Sequence, residues 1–216
     1  MPYEETLAAF RRGDNVEAAR LAARDVTEAN AAGDVRAQVD GLCMLARVAL
    51  RDGDLAEVTS RAEQAQQIAR GSQDQQPQLM PLHLRAVAAR MAGRYEESRE
   101  LYLRSIALAE ALGLRGMAAA EHRNLAYVEI RAGNLARARE LFAESVLGLE
   151  NIDAPSMTPY LIFDQAAIAA LDGDYATART RLTAAQAHWE EQGVVPDPDD
   201  AAAVADLERK LTDAGV

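Results

Sequence analysis

Few side chains in this 216-residue sequence are of the types that do chemistry. Cys43 is the only cysteine, and His83, 40 residues further along, would have to serve as its base. No residue close in sequence would orient such a base, and a small apolar cysteine packed in a helix pair is the commoner situation. We therefore interpret Cys43 as a packing residue rather than a nucleophile.

The other candidates for chemistry are equally sparse. His83 and His122 lack a third ligand at short spacing, so they give little basis for a metal site. Adjacent carboxylates such as Glu96 and Glu97 point about 100° apart on a helix and do not converge on a substrate. The signatures GxGxxG, GxxxxGK[ST], HExxH and GxSxG are absent from the sequence. We expect no catalytic residue, no bound metal and no cofactor.

Composition narrows the range of partners and compartments. The net charge is −11, which disfavours nucleic-acid binding because that needs a basic surface. No apolar run reaches 18 residues and the N-terminus lacks the apolar core of a signal peptide, so we expect no membrane association. A single cysteine is typical of a reduced compartment, and we expect a cytoplasmic protein.

The elements that would position any site are read from a repeat. Glycines stand at a strict 40-residue interval at positions 13, 53, 93, 133 and 173, and Asp or Asn follows four of the five. Glycine suits the left-handed residue that ends a helix, and Asp or Asn suits the cap that begins the next one. Each glycine is therefore predicted to separate two helices.

A second column of residues has the same period. Ala46, Ala86, Ala126 and Ala166 stand 33 residues after the first four glycines, with mostly small or apolar neighbours at helical spacing. Alanine, the best helix former, supplies 46 residues, and no segment alternates like a strand. We predict an all-α solenoid of antiparallel helix pairs. The helices are expected over residues 3–12, 14–32, 34–51, 54–70, 76–92, 94–112, 115–132, 134–150, 156–172, 174–192 and 198–213.

The segments GRYEESRELYLRS (93–105), GNLARARELFAES (133–145) and GDYATARTRLTAA (173–185) resemble the start of the second helix in the tetratricopeptide repeat (TPR). Residues 13–25 and 53–65 match it more loosely. The resemblance implies a single domain over residues 1–216, a right-handed superhelix of about five repeats with a capping helix at about 198–213. Its 40-residue period exceeds the common 34 and is similar to that of bacterial signal-sensing regulators; HEAT repeats are the alternative.

The last helix is strongly acidic. From Glu190 onwards the sequence contains eight carboxylates and only two basic residues, Arg209 and Lys210. This segment therefore accounts for six of the eleven net negative charges. Terminal repeats of a solenoid need a polar outer surface. We interpret the segment as a solubilising cap, with a specific acidic-tail function as the alternative.

In the family that the chain resembles, the first helix of each repeat lines a concave groove. Its inward positions, carried over, place five arginines with aromatic and methionine side chains on one face of an acidic protein. Arginine binds carboxylate or phosphate through two parallel hydrogen bonds, and Met and aromatic rings add adaptable apolar contact. The pattern indicates a groove for an acidic and apolar peptide or a small anionic ligand; the alternative is an ordinary solvated face. The expected groove residues are Met44, Arg47, Arg51, His83, Arg90, Arg123, Asn124, Tyr127, Arg131, Tyr160 and Phe163.

Three functions follow from this interpretation. The first is a non-catalytic scaffold that binds a protein or peptide in the groove. The second is a signal-sensing regulatory protein that binds a small ligand or signalling peptide and acts through a separate partner protein. The third is an enzyme on a helical-repeat scaffold, for which the sequence offers no catalytic set. We also expect a homodimer, because the looser first repeat leaves Leu7, Phe10 and Val16 incompletely covered.

Overall fold

The repeat glycines end helices as expected. In the computed structural model, which describes residues 2–150, 155–193 and 195–216, all five have φ between 75° and 83°. At the second of them, the N–H of Gly53 donates to the carbonyl of Leu50 at 3.1 Å and that of Asp54 to the carbonyl of Ala49 at 2.9 Å. These two bonds form the Schellman motif, which satisfies carbonyls at the helix end. The predicted left-handed glycines are confirmed.

The residue after the glycine begins the next helix in most repeats. The carboxylate of Asp54 accepts from the backbone N–H of Glu57 at 3.0 Å, and the equivalent aspartates at 14 and 174 cap their helices in the same way. Asn134 departs from this arrangement, because its side-chain amide donates to Glu129 at 2.7 Å. An amide can donate where a carboxylate can only accept, which allows this different use of the capping position.

Eleven α-helices are present in the described part of the chain, and the predicted all-α fold is confirmed. Most of their ends lie within one residue of the predicted ones. The helices are α1 (Pro2–Arg11), α2 (Asn15–Ala32), α3 (Val35–Arg51), α4 (Leu55–Ala69), α5 (Leu79–Met91), α6 (Tyr95–Ala111), α7 (Arg115–Arg131), α8 (Leu135–Leu149), α9 (Thr158–Leu171), α10 (Tyr175–Glu191) and α11 (Pro198–Asp213).

Two helices begin two or three residues later than predicted. A 3-10 turn over Gln76–Gln78 precedes α5, and another over Pro155–Met157 precedes α9. Pro77 lies in the first of these turns, and Pro155 opens the second. Proline tolerates the start of a helix but lacks the N–H that a continuing α-helix uses. Residues 151–154 of the expected connector lie outside the described residues.

The chain divides into two compact units, Met1–Leu101 (unit 1) and Tyr102–Val216 (unit 2), with the division inside α6. In unit 1, consecutive helices from α1 to α5 pack against each other, and α1 and α5 also contact α3. In unit 2, α7 to α10 pack consecutively, and α11 contacts both α9 and α10. The expectation of a single domain remains a prediction.

Small residues hold the paired helices close together. Ala46, Ala86, Ala126 and Ala166 have no exposed surface. Ser98, five residues after its glycine, is also fully buried and donates to the carbonyl of Ala86 at 2.8 Å. A larger side chain at such a position has no room, since cores are packed to crystal-like density.

The first repeat is better covered than expected. Phe10 is 1% exposed and packs with Met44 and Val48 of α3, so its expected exposure is wrong. Leu7 is half-buried, whereas Val16 is 84% exposed. The error arose because α1 packs on α3 as well as on its partner α2. The homodimer stays a prediction, which light scattering of the purified chain would test.

Candidate functional site

Two of the expected groove arginines in unit 1 lie against an aromatic ring. The guanidinium carbon of Arg51 is 3.5 Å from the centroid of the Phe10 ring, and that of Arg47 is 4.3 Å away. Arg51 also donates to the backbone carbonyl of Phe10 at 2.6 Å. A cation over the face of an aromatic ring is attracted by the ring's quadrupole. These contacts therefore hold the Arg47 and Arg51 side chains of α3 against Phe10 of α1.

The remaining expected residues of unit 1 are less accessible. Met44 is 1% exposed and belongs to the core around Phe10, so it presents no surface to a ligand. His83 and Arg90 are half-buried on α5. Burial, followed by the charge of Asp40, raises the pKa of the Cys43 thiol well above its usual value. A thiol kept protonated in this way is a poor nucleophile, which supports its interpretation as a packing residue.

Unit 2 brings the expected aromatic residues into one cluster. Ring centroids are 6.3 Å apart between Tyr127 and Phe163, 5.8 Å between Phe163 and Trp189, and 5.5 Å between Trp189 and Tyr160. The side chains come from α7, α9 and α10. Such tilted and edge-to-face contacts between rings are favourable, so the four rings form one apolar cluster, the aromatic platform.

Arg123 lies on this platform. Its guanidinium carbon is 4.4 Å from the Tyr160 ring centroid, and the side chain is only 7% exposed. Burial alone would lower the pKa of Arg123, but the neighbouring charges of Asp200 and Asp164 outweigh it and the pKa lies above its usual value. Burial raises the pKa of Tyr160 to about 12. The arginine is therefore a permanent cation in a largely apolar setting.

Asp164 is the buried carboxyl beside this arginine. It has no exposed surface and accepts a hydrogen bond from Ser145 at 2.6 Å. Burial raises its pKa to about 7, although Arg123 and the Ser145 hydrogen bond both act to lower it. A carboxyl with such a pKa changes charge near neutral pH, so the local charge at Arg123 depends on pH.

The acidic helix α11 supplies counter-ions to this part of unit 2. Asp200 lies 3.7 Å from the Arg123 guanidinium, and Asp206 forms an ion pair with Arg131. The sequence pattern predicted a solubilising cap for these acids and did not predict their pairing with Arg123 and Arg131. The signal was present in the sequence as opposite charge, Asp residues six apart on one helix and Arg residues eight apart on another.

Several buried polar atoms in this part of unit 2 make no hydrogen bond to any residue that the structure describes. They are Nε of Arg123, Oδ1 of Asn124, Oδ1 of Asp164 and Nε1 of Trp189. All four residues are less than one-tenth exposed. Buried polar groups are hydrogen-bonded as a rule, so an unmatched set marks a place where a ligand or water gains contacts. The structure thus brings Arg123, Tyr127, Tyr160 and Phe163 together, with Arg131 on the helix of Arg123. Asn124 instead directs its amide to Glu121 at 3.4 Å.

Two other kinds of site receive no support from the described residues. No three His, Cys, Asp or Glu side chains there converge as a metal ion requires. None of the described helices combines the length and the apolar character needed to cross a bilayer.

Comparisons with known proteins identify the fold. No family model and no curated protein matches the chain. Among solved structures, BtubC (BKLC) from P. vanneervenii is similar at a TM-score of 0.66 and 20% identity, over 91% of this chain and 81% of that one. A signal transduction ATPase with a tetratricopeptide repeat sensor from Pyrococcus horikoshii is similar at a TM-score of 0.65 and 17% identity, over 97% of this chain and 32% of that one.

A Rap protein complexed with competence and sporulation factor is similar at a TM-score of 0.74 and 16% identity, over 88% of this chain and 54% of that one. At these identities the likeness concerns the fold. The chain therefore has the TPR-like helical-repeat fold that its sequence pattern predicted.

Proposed function

We propose that this chain is a non-catalytic scaffold that binds a protein or peptide segment, built from a 40-residue variant of the tetratricopeptide repeat. The observation that carries the proposal is the platform in unit 2, where Arg123 lies over Tyr160 with unmatched hydrogen-bonding atoms around it. A ligand carboxylate there would gain two charge-assisted hydrogen bonds, and apolar ligand groups would pack on the half-buried rings of Tyr127 and Tyr160.

The same surroundings favour binding over catalysis. Cys43 is held as a thiol, and the cation Arg123 does not transfer protons at physiological pH. A general acid or base needs a proton that is exchanged with the substrate near the working pH. Asp164 has a suitable pKa, but it is fully buried and bonded to Ser145. We further propose that the protein works in the cytoplasm, where a lone cysteine stays reduced.

A signal-sensing role is the second candidate. It is favoured by the similar solved structures, one bound to competence and sporulation factor and one described as a repeat sensor. In this version a signalling peptide or small ligand changes the chain's conformation and acts through a separate partner. Small-angle scattering with and without the bound ligand distinguishes the two, because a passive scaffold keeps its radius of gyration.

The scaffold proposal is tested with a displayed library of random 16-residue peptides selected on the wild-type chain. We expect the enriched peptides to combine acidic and apolar residues. Substitution Arg123→Gln should weaken them about 10- to 150-fold, the worth of one charge-assisted hydrogen bond. The control is Arg104→Gln, at an exposed arginine of α6. Equal affinity for the wild type and both variants would contradict the proposal, provided circular dichroism shows all three folded.

A further inference from the structure

Helix α11 carries its acids and its buried apolar residues in one helical pattern. Ala203, Leu207 and Leu211 are its buried apolar residues and pack in the cluster that contains Phe163 and Trp189. Spacings of four residues place these three on one face of the helix. The helix therefore rests on the aromatic platform of unit 2.

The acids of α11 flank that apolar face. Asp200 precedes Ala203 by three residues and faces Arg123, whereas Asp206 precedes Leu207 and pairs with Arg131. An acidic and apolar segment was the ligand expected for these two arginines from sequence. The chain's own C-terminal helix has that chemistry and already lies on them.

Helix α11 is held by a small apolar contact and by polar contacts near the surface. Lys210 donates to the carbonyl of Ala170 at 3.0 Å, and Gln186 donates to the carboxylate of Glu208 at 2.8 Å. The Arg131–Asp206 pair is exposed, with half of the arginine side chain accessible, so salt screens it. Two leucines and one alanine supply the buried apolar contact.

The fit at Arg123 is also incomplete. Asp200 approaches the guanidinium only to 3.7 Å, which is too long for a hydrogen bond, and Nε of Arg123 has no acceptor within the described part of the chain. A carboxylate held in the plane of the guanidinium would accept from Nε and Nη2 together. Another helix with one better-placed acid would therefore bind this arginine more strongly than α11 does.

We propose that α11 is a resident occupant of the Arg123–Arg131 surface and that the partner is an acidic amphipathic helix that displaces it. The partner helix carries the α11 pattern, two acids six residues apart flanking apolar residues at spacings of four. This inference rests on the proposed binding function and names its ligand class and its regulation. The partner can bind only those molecules in which α11 is released. Its apparent affinity is therefore the intrinsic affinity multiplied by the fraction of molecules in that state.

The test compares full-length chains that differ in how firmly α11 is held. In the loosened chain, Asp200→Asn and Asp206→Asn remove both ion pairs with little change of shape. The matched control, Glu190→Gln and Asp213→Asn, removes two exposed charges away from these arginines. The probe is a fluorescein-labelled synthetic peptide of residues 197–213 with its native acids, titrated at low salt by fluorescence anisotropy.

The loosened chain should bind the peptide at least about tenfold more tightly than the wild type or the control. Adding Arg131→Gln to the loosened chain should reduce that gain. Hydrogen exchange gives a second readout, because the amides of α11 should exchange at least about tenfold faster in the loosened chain. This readout needs no peptide and checks that the three chains are otherwise folded alike.

Each other result overturns the inference in a recognisable way. If all chains bind the α11 peptide equally while binding of the library peptides still depends on Arg123, then α11 does not occupy the binding surface. The proposed binding function would be unaffected by that result. Absence of any peptide binding that depends on Arg123 would remove both. A dimer formed by the loosened chain but not by the wild type or the control in light scattering would show that a second copy's α11, rather than a partner's helix, takes the place.

Discussion

Arg131, the last residue of α7, forms an ion pair with Asp206 of α11 across 75 positions of sequence. The pair ties the C-terminal helix to the same helix that carries Arg123. Asp206 also accepts a hydrogen bond from Arg209, three residues further along α11, at 3.0 Å. Asp206 is therefore shared between Arg209 of its own helix and Arg131 of the candidate site. If the ion pair with Arg131 is lost, Asp206 still keeps its bond to Arg209.

The left-handed glycines can be tested at one position. Gly133 has φ 81°, and a Cβ added there would meet no atom within 4 Å. Gly133→Val should therefore destabilise the chain through backbone strain alone, by about 1–3 kcal/mol in urea unfolding. Gly133→Asn is the control, because Asn tolerates this region and should cost clearly less. Equal losses for the two variants would show that the backbone conformation is not the cause.

The close approach of α7 and α8 gives a prediction of unusual sign. A Cβ at Gly148 would lie 2.7 Å from Cβ of Ala119. Gly to Ala inside a helix normally stabilises by about 1 kcal/mol, but here overpacking should make Gly148→Ala destabilising by about 1–3 kcal/mol. Adding Ala119→Gly should recover at least about 1 kcal/mol. A stabilising Gly148→Ala would mean that the helices have room to separate.

The buried carboxyl predicts a dependence of stability on pH. Asp164 has a pKa of about 7 when folded, against an ordinary value of 3.8. The folded chain therefore holds a proton that the unfolded chain has lost, and its free energy of unfolding should fall as pH rises from about 4 to about 7, then level off. Asp164→Asn should abolish this component, which is at most about 4 kcal/mol, when urea unfolding is repeated across that range.

The charges facing Asp164 determine how it responds. Arg123 and Ser145 favour its ionised form, and Asp200 opposes it. A matched control is Asp213→Asn, at an exposed acid of the same unit, which should retain the fall with pH. If Asp164→Asn and the wild type keep the same slope between pH 5 and 7, some other group is responsible.

The arginines on Phe10 predict a measurable coupling in unit 1. Phe10→Leu removes the ring beneath Arg51, and Arg51→Met removes the cation while keeping most of the side-chain length. The double-mutant cycle should give a coupling of about 0.5–2 kcal/mol between the two changes. If the two losses add to within about 0.3 kcal/mol, Arg51 is held on α1 by other contacts.

Sequence could predict the local parts of this fold. Gly53 and Asp54 end one helix and begin the next through bonds to residues within five positions, so their types suffice to place both ends. The burial of the alanine column was also predictable, because it recurs at the period of the helix pairs. Starts next to proline were less certain, since proline is compatible with both a 3-10 turn and an α-helical first turn.

The candidate site could be predicted only in part. Arg123 was assigned to a groove through a family resemblance, but its burial depends on Tyr160 of α9 and on the acids of α11. Contacts between residues 37 to 77 positions apart follow from packing of whole helices, which residue types alone do not specify. For the same reason Phe10 was expected to be exposed, although α3 covers it.

The docking of α11 has a built-in optical readout. Trp189 is the only tryptophan of the chain, is 5% exposed and packs in the cluster that includes Leu207 and Leu211 of α11. Release of the helix would bring water to the indole and move its emission to longer wavelength. Intrinsic fluorescence of the unlabelled protein therefore reports, from a single position, the fraction of molecules in which the C-terminal helix has left the platform.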